Sequence, residues 1–141
     1  MNYYRGISST DYGPLSFATN VEHETKRNQN FRTALWTGSN LQMTVMCIPV
    51  YGEIGIEVHH NTDHILSVKE GQGLVKIGNY VDRLDFQQHL SAGDTIFIPA
   101  GVWHNIINSG KSPLRLSSVY APPAHPRGTV HRTKEEEREG Y

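Results

Sequence analysis

Between Phe31 and Ala121 the chain consists of short runs in which apolar and polar residues alternate. The runs are separated by glycine, proline, asparagine and serine, which are typical of turns. Alternation with a period of two is typical of strands that bury one face, so the pattern predicts strands rather than helices. We expect strands over residues 32–37, 41–50, 53–60, 63–70, 73–79, 84–90, 94–98, 102–108 and 113–121. Many short strands at this spacing predict an all-β sandwich or barrel over residues 31–121.

Two polar segments flank the predicted barrel. Residues 1–30 form an irregular arm with a short helix near 20–27, capped by Asn20. We expect this arm to pack on or beside the barrel through its apolar side chains, which are Tyr3, Tyr4, Tyr12, Leu15 and Phe17. Residues 122–141 start with prolines that stop the sheet and continue as a charged run, which predicts a solvated tail. His125 and His131 are then exposed; the alternative is a tail that closes over the barrel mouth.

Strand parity divides the segment 53–60 into two faces. If Glu57 and His59 point into the barrel, residues of the opposite parity point outward. An inward His104 has the same consequence for its own strand. The apolar residues expected on the outer face are Ile54, Ile56, Val58, Trp103 and Ile107. A small domain rarely exposes such a patch, so we expect the arm or a second subunit of a homodimer to cover it.

One carboxylate and three imidazoles carry the candidate chemistry. Glu57 and His59 share a strand face, and after four residues of turn composition His64 begins the next strand, where a hairpin can bring it opposite them. His104 is the candidate fourth ligand. This set suits a divalent first-row metal, so we expect one Fe, Mn, Zn or Ni ion per chain. Taken singly, each of these residues is better explained as a hydrogen-bonded polar residue of the core; it is the four together, in register with one another, that indicate a metal site.

Two motifs around these residues resemble the two motifs of the cupin superfamily. The second motif, G-x5-P-x-G-x2-H-x3-N, is matched in full by Gly93, Pro99, Gly101, His104 and Asn108. The first motif, G-x5-H-x-H-x3-4-E-x6-G, is matched with the carboxylate moved. In this motif Glu57 replaces the first histidine and His64 replaces the glutamate, and the leading glycine is one place late, at Gly52; His59 and Gly71 keep their places.

The resemblance implies a double-stranded β-helix, a jelly-roll barrel, that holds a metal ion on the four residues named above. The chain looks most like small cupins labelled mannose-6-phosphate-isomerase-like, which implies an isomerase acting on a sugar or sugar phosphate. Glu53 is the candidate catalytic base. The alternatives are a metal-dependent dioxygenase, a non-catalytic barrel that binds or senses a small ligand, and a metal-stabilised structural barrel. Further polar candidates around the mouth, which the sequence does not place, are Arg32, Gln42, Thr44, Tyr120 and His131.

Composition and charge narrow the classes of protein. The 141 residues are enough for one domain with a core. A net charge of −1 offers no electrostatic basis for binding nucleic acid. No apolar run approaches the roughly 18 residues of a membrane span, and the first residues lack an apolar signal core. The one cysteine, Cys47, fits a reducing compartment, so we expect a cytoplasmic protein without membrane partners.

Overall fold

The computed structural model describes residues 11–138, and the expectations for Tyr3 and Tyr4 lie outside the described residues. Strands dominate this range and two short helices lie near its ends. The elements are α1 (Val21–Arg27), β1 (Arg32–Thr37), β2 (Gln42–Ile48), β3 (Asp63–Glu70), β4 (Gln72–Gly78), β5 (Phe86–Ser91), β6 (Thr95–Ile98), β7 (Trp103–Asn108), β8 (Leu114–Ala121), β9 (Val130–His131) and α2 (Lys134–Arg138). Among the described residues, no helix is both long and apolar enough to span a membrane.

Two antiparallel sheets enclose a common core. The larger sheet has the strand order β6-β3-β8-β2-β1-β9, and the smaller sheet has the order β5-β4-β7. Apolar side chains meet between the sheets and are almost completely buried: Met46, Ile48, Leu66, Val68, Val75, Leu90, Ile98, Ile106, Leu114 and Leu116. Short antiparallel strands that close two sheets over one core are typical of the jelly-roll barrel. The predicted all-β double-stranded β-helix is confirmed.

The predicted strand over residues 53–60 is wrong in detail. This segment is an irregular extended stretch beside β7, with isolated bridges from Glu53 to Ile107 and from Glu57 to His104. Four residue steps on the segment therefore match three on β7, so the segment carries one extra residue, a bulge. Gly55 lies inside the bulge with φ +101°, a backbone conformation that suits glycine.

The bulge corrects the predicted assignment of faces. An extra residue shifts the alternation of side chains by one position. Ile54, expected on the outer face, is only 4 % exposed and belongs to the core, while Glu57 still points inward. Ile56 does lie outside and is 51 % exposed, whereas Val58, Trp103 and Ile107 are half-buried. The apolar outer patch is therefore smaller than the alternation predicts.

The inner face of the larger sheet is polar at one end and apolar at the other. Where β3 begins and β8 ends, His64 pairs with Tyr120, and Tyr120 pairs with Gln42 of β2. All three side chains are at most 1 % exposed. Further along the same strands, positions of the same parity carry core residues such as Leu66 and Leu116. His104, at the start of β7, places a polar side chain at one end of the smaller sheet as well. The end of the barrel where these polar side chains lie is therefore the end that can hold a ligand.

The described part of the N-terminal arm packs against β1. Asp11 is buried, and its carboxylate accepts hydrogen bonds from Thr37 and from the backbone N–H of Gly128. The predicted short helix is confirmed as α1, with the Asn20 side chain accepting a hydrogen bond from the His23 backbone N–H at 2.9 Å. Polar contacts of the arm therefore join β1 to the C-terminal segment.

The C-terminal segment is polar in composition, but the expectation that it is solvated is wrong for part of it. Val130 and His131 form β9, which extends the larger sheet beside Thr33 and Arg32 of β1. His131, expected in solvent, is only 4 % exposed. Composition did not reveal this because the segment is held by backbone pairing and by side-chain contacts to residues about a hundred positions earlier, not by an apolar stripe.

His125, also expected in solvent, is held against the barrel. The Gln42 side chain donates a hydrogen bond to the His125 carbonyl oxygen and accepts one from its backbone N–H, at 2.9 and 3.0 Å. The imidazole lies edge-on to the ring of Tyr120, with 5.2 Å between ring centroids. The residues before β9 thus lie over the polar end of the larger sheet.

Candidate metal centre

The four predicted ligand residues converge at the polar end of the barrel. Glu57 and His59 come from the irregular segment beside β7, His64 from β3 and His104 from β7. Each offers one ligand atom, and these atoms all lie within 4.8 Å of one another. The two sheets and the bulged segment therefore all contribute to one cluster.

Backbone hydrogen bonds set the positions of these side chains. Glu57 and His104 exchange two hydrogen bonds of 2.9 Å, N–H to carbonyl in both directions, which places the two residues directly opposite each other. The carbonyl oxygen of His59 accepts a hydrogen bond from the Gly101 N–H at 2.8 Å. Gly101 has φ +83°, so glycine is needed at the turn that makes this contact. Residues of the second motif, Gly101 and His104, thereby hold in place by hydrogen bonds the segment that carries Glu57 and His59 of the first motif.

The carboxylate of Glu57 lies between two imidazoles. Its Oε1 atom is 3.3 Å from His59 Nε2 and 3.2 Å from His104 Nε2. Burial alone would raise the pKa of Glu57, but hydrogen bonds from His104 and His59 outweigh it and hold this pKa well below its usual range. Glu57 is therefore ionised at neutral pH, as a metal-binding carboxylate must be.

The orientation of His104 calls for a cation beside Glu57. Its Nδ1 atom lies 3.1 Å from the carbonyl oxygen of Val102, which can only accept, so Nδ1 carries the hydrogen. Nε2 then faces Glu57 Oε1 at 3.2 Å, so either a proton, which makes the hydrogen bond, or a metal ion lies between these two atoms.

His64 is a buried imidazole without a hydrogen-bond partner. It is 1 % exposed, and among the described residues neither ring nitrogen has a partner. Burial, reinforced by His104, lowers the pKa of His64 to about 3, so the ring is neutral and has a free lone pair. A buried polar group without a partner is costly, and a metal ion would satisfy one of its nitrogens.

The donor set fits a transition-metal ion. Metal–ligand bonds of about 2.0–2.2 Å place ligand atoms roughly 3–4.4 Å apart around one ion, close to the spacing within this cluster. Three neutral imidazoles and one carboxylate are ligands that divalent iron, manganese, zinc and nickel all accept. The cluster can therefore hold one such ion through Glu57, His59, His64 and His104.

The structure does not bring Glu53 into the cluster. Its carboxylate accepts a hydrogen bond from Asn105 Nδ2 at 3.3 Å. Asn105 follows His104 directly on β7, so the two side chains leave the strand on opposite faces. His60, the neighbour of His59, is exposed and also lies outside the cluster.

Other polar candidates of the sequence line the barrel interior next to the cluster. The Tyr120 ring stacks on the His64 ring with 4.2 Å between centroids, and burial raises the pKa of the phenol. Arg32 and Thr44 are also fully buried. His125 is a further neighbour, for which the charged, proline-rich surroundings favoured solvent. Its backbone hydrogen bonds with Gln42 and its ring contact with Tyr120 place it against the barrel.

Comparison with known proteins agrees with this geometry. The family model described as "Cupin domain" matches residues 44–120. The uncharacterised protein YrkC of Bacillus subtilis (strain 168) is 48% identical over 130 residues, which make up 92% of this chain and 70% of YrkC. The uncharacterised protein L612 of Acanthamoeba polyphaga mimivirus is 31% identical over 115 residues, 81% of this chain and 70% of L612.

A solved structure shows the same arrangement of strands. The crystal structure of BH2720 from Bacillus halodurans is 52% identical in sequence and superposes with a TM-score of 0.91. The superposition covers 92% of this chain and 98% of that one. The family model spans more than half of the chain, and the closed antiparallel barrel with its histidine and glutamate cluster accompanies it. On these grounds the chain belongs to the cupin superfamily.

Proposed function

We propose that this protein binds one divalent transition-metal ion through Glu57, His59, His64 and His104 and uses it to hold a small oxygen-bearing molecule. The observation that carries the proposal is the convergence of four ligand atoms within 4.8 Å, one of them from a buried histidine whose ring nitrogens have no hydrogen-bond partner in the described part of the chain. In a six-coordinate ion, four protein ligands leave two positions for the bound molecule.

The residues of the chain define what such a site does. Glu57 supplies one negative charge and the imidazoles supply none, so a divalent ion keeps a net positive charge and attracts anionic or oxygen-bearing ligands. When bound, the metal acts as a Lewis acid on an oxygen of the ligand. The barrel wall beside His64, formed by Tyr120, keeps bulk water from this side of the cluster.

Three functions use such a site. An isomerase for a sugar or sugar phosphate needs a base beside the metal, and Glu53, whose carboxylate contacts Asn105, is outside the cluster. A dioxygenase needs iron and two free coordination positions, and a sensor needs only reversible binding. We propose small-molecule binding as the shared property, with the identity of the native metal directing the search for a reaction.

The test is the metal content of untagged protein, measured by mass spectrometry. We expect about one metal ion per chain in the wild type and in His60→Ala, and loss of the metal in His59→Ala. His60 is the matched control because it is the adjacent histidine, is exposed, and lies outside the cluster. A wild type that takes up no metal after reconstitution, or a His59→Ala variant that keeps it, would exclude this ligand set.

A homodimer is part of the same proposal. Exposed apolar side chains support it, among them Ile56 at 51 % and Phe97 of the edge strand β6 at 70 %. Edge strands with apolar side chains favour association with a second copy. Light scattering should give the mass of two chains, and the mass of one chain would exclude the dimer.

A further inference from the structure

Arg32 carries a positive charge inside the barrel. Its side chain is 1 % exposed and lies on the inner face of β1, among fully buried neighbours such as Ala34 and Met46. Burying a guanidinium is expensive unless carboxylates or other acceptors surround it. A charge in this position therefore needs a reason beyond packing.

The partners of Arg32 leave part of the guanidinium unsatisfied. Nη1 donates to Glu137 Oε2 of α2 and lies 3.4 Å from His131 Nδ1. Within residues 11–138, the partner of Nη2 is the sulfur of Met46, at 3.8 Å. Nε is buried and has no partner among the described residues. A carboxylate normally engages such a fork through two parallel hydrogen bonds, and Arg32 is not matched in this way.

Further unpartnered polar atoms lie on the same inner wall. The hydroxyl oxygens of Thr44 and Tyr120 are buried, and among the described residues neither makes a hydrogen bond of normal geometry. Thr44 and Ser118 nevertheless lie close enough to the phenol to offset part of the rise that burial causes in its pKa. Nε2 of His125 is also buried without a partner among the described residues. Thr44 and Tyr120 are 0 % exposed; Thr44 lies on β2, which neighbours β1, and Tyr120 lies on β8, on the other side of β2. Two hydroxyl donors and a guanidinium together form a donor-rich, positively charged surface, which is suited to an oxyanion.

This surface adjoins the candidate metal centre. The Tyr120 ring stacks on His64 at 4.2 Å on one side and meets His125 at 5.2 Å on another. A small molecule with an oxygen at the cluster and a carboxylate at Arg32 would contact Tyr120 in between.

We propose that Arg32, Thr44 and Tyr120 form an anion site inside the barrel that binds the carboxylate of a small organic acid, and that Glu137 occupies Arg32 until the acid displaces it. The site itself does not require the metal. The further statement that the same acid reaches the cluster with a second oxygen rests on the proposed function.

Glu137 is the reason for choosing a carboxylate rather than a phosphate. The group that contacts Arg32 in this structure is already a carboxylate, so the space next to Nη1 accepts one. The Glu137 side chain is 27 % exposed and belongs to a helix of five residues, too short to be stable by itself. It can therefore leave and be replaced by a carboxylate of similar size.

Isothermal titration calorimetry with succinate tests the proposal on two samples, EDTA-treated protein and metal-loaded protein. The decisive comparison is Glu137→Gln against Glu135→Gln. Both variants neutralise one carboxylate of α2, but Glu135 is exposed. We expect Glu137→Gln to bind succinate at least threefold more tightly than the wild type in both samples, and Glu135→Gln to bind like the wild type.

Arg32→Gln supplies the second arm and is expected to weaken succinate binding at least tenfold. If that variant does not fold, the comparison of the two α2 variants decides alone. Equal affinities for Glu137→Gln and Glu135→Gln would overturn the proposal, and so would tighter binding of inorganic phosphate than of succinate. If the metal proposal failed, the difference in succinate affinity between the two α2 variants would still be present in the EDTA-treated sample. Failure of the metal proposal can therefore be told apart from failure of the anion site.

Discussion

At the scale of single residues, Gly71 and Gly93 show how differently two motif glycines are constrained. Both have positive φ, +93° and +99°. A Cβ atom on Gly71 would lie 2.7 Å from the Pro113 carbonyl oxygen and 3.0 Å from Leu114 Cα, whereas one on Gly93 meets nothing within 4 Å. Gly93 is therefore needed only for its backbone conformation, and Gly71 also for close packing against the end of the loop before β8.

We expect Gly93→Ala to lower the free energy of unfolding by about 1–2 kcal/mol, the cost of an L-residue at positive φ. Gly71→Ala should cost about 3 kcal/mol or more, since backbone atoms must also move. Urea denaturation of both variants checks this, and each serves as the control of the other. Equal losses would show that the contact with Pro113 does not constrain the fold.

The buried imidazole of His125 predicts a pH dependence of stability. Burial, with Arg32 nearby, lowers the pKa of His125 from its ordinary value near 6.5 to about 3. Between these values the unfolded chain binds a proton that the folded chain does not, so stability falls as the pH falls.

One such group contributes a slope of at most about 1.4 kcal/mol per pH unit. We therefore expect EDTA-treated wild-type protein to lose stability from pH 6.5 to pH 4.5 more steeply than His125→Gln, by about 1 kcal/mol per pH unit. Urea denaturation at several pH values measures the slopes. His60→Gln, at an exposed position, is the control and should keep the wild-type slope. If His125→Gln lost stability with falling pH as steeply as the wild type, the prediction would be wrong.

At the scale of elements, β9 and α2 stabilise the larger sheet in two different ways. The strand pairs with β1 and covers the edge that β1 would otherwise expose. The helix supplies Glu137 to the buried Arg32. Both contacts join ends of the chain that are distant in sequence, which explains why a segment of tail-like composition is ordered.

Two truncations separate these contributions. A chain ending at Thr133 loses α2, and we expect a loss of about 2–3 kcal/mol, less than the 3–5 kcal/mol of a fully enclosed pair because the Glu137 side chain is 27 % exposed. A chain ending at Gly128 also loses β9 and should aggregate through the open edge of β1. Urea denaturation tests the first and light scattering the second. If the chain ending at Gly128, which lacks both elements, were as stable as the wild type, both expectations would be wrong.

At the scale of the whole molecule, the candidate metal centre joins the two sheets. His64 belongs to the larger sheet and His104 to the smaller one, so one ion would bridge them. A ligand that binds only the folded state at a hundred times its Kd stabilises that state by about 2.7 kcal/mol.

For a domain of this size we expect Tm to rise by roughly 5–10 °C when the metal is added to EDTA-treated protein. Differential scanning calorimetry with Mn²⁺, Fe²⁺, Ni²⁺ and Zn²⁺ measures the shift. His104→Ala should show no shift, whereas His60→Ala should respond like the wild type. A rise of the same size in His104→Ala would place the metal elsewhere.

Local patterns of the sequence were enough to predict most strands, the cap of α1 and the four residues of the cluster. Alternation reports which residues can be buried on a strand, and the spacing from Gly93 to Asn108 is a local property of one turn and one strand. Glu57, His59 and His64 lie within eight residues of each other, so a hairpin was sufficient to bring them together.

The tertiary structure alone decided the rest. The bulge at Gly55, which buries Ile54 and still points Glu57 inward, depends on register against β7, about fifty residues away. The burial of Arg32, His125 and His131 depends on contacts between the two ends of the chain. Pairing across such distances is set by the closure of the barrel. Contacts between single polar groups leave no periodic pattern in the sequence, so these contacts could not be predicted from it.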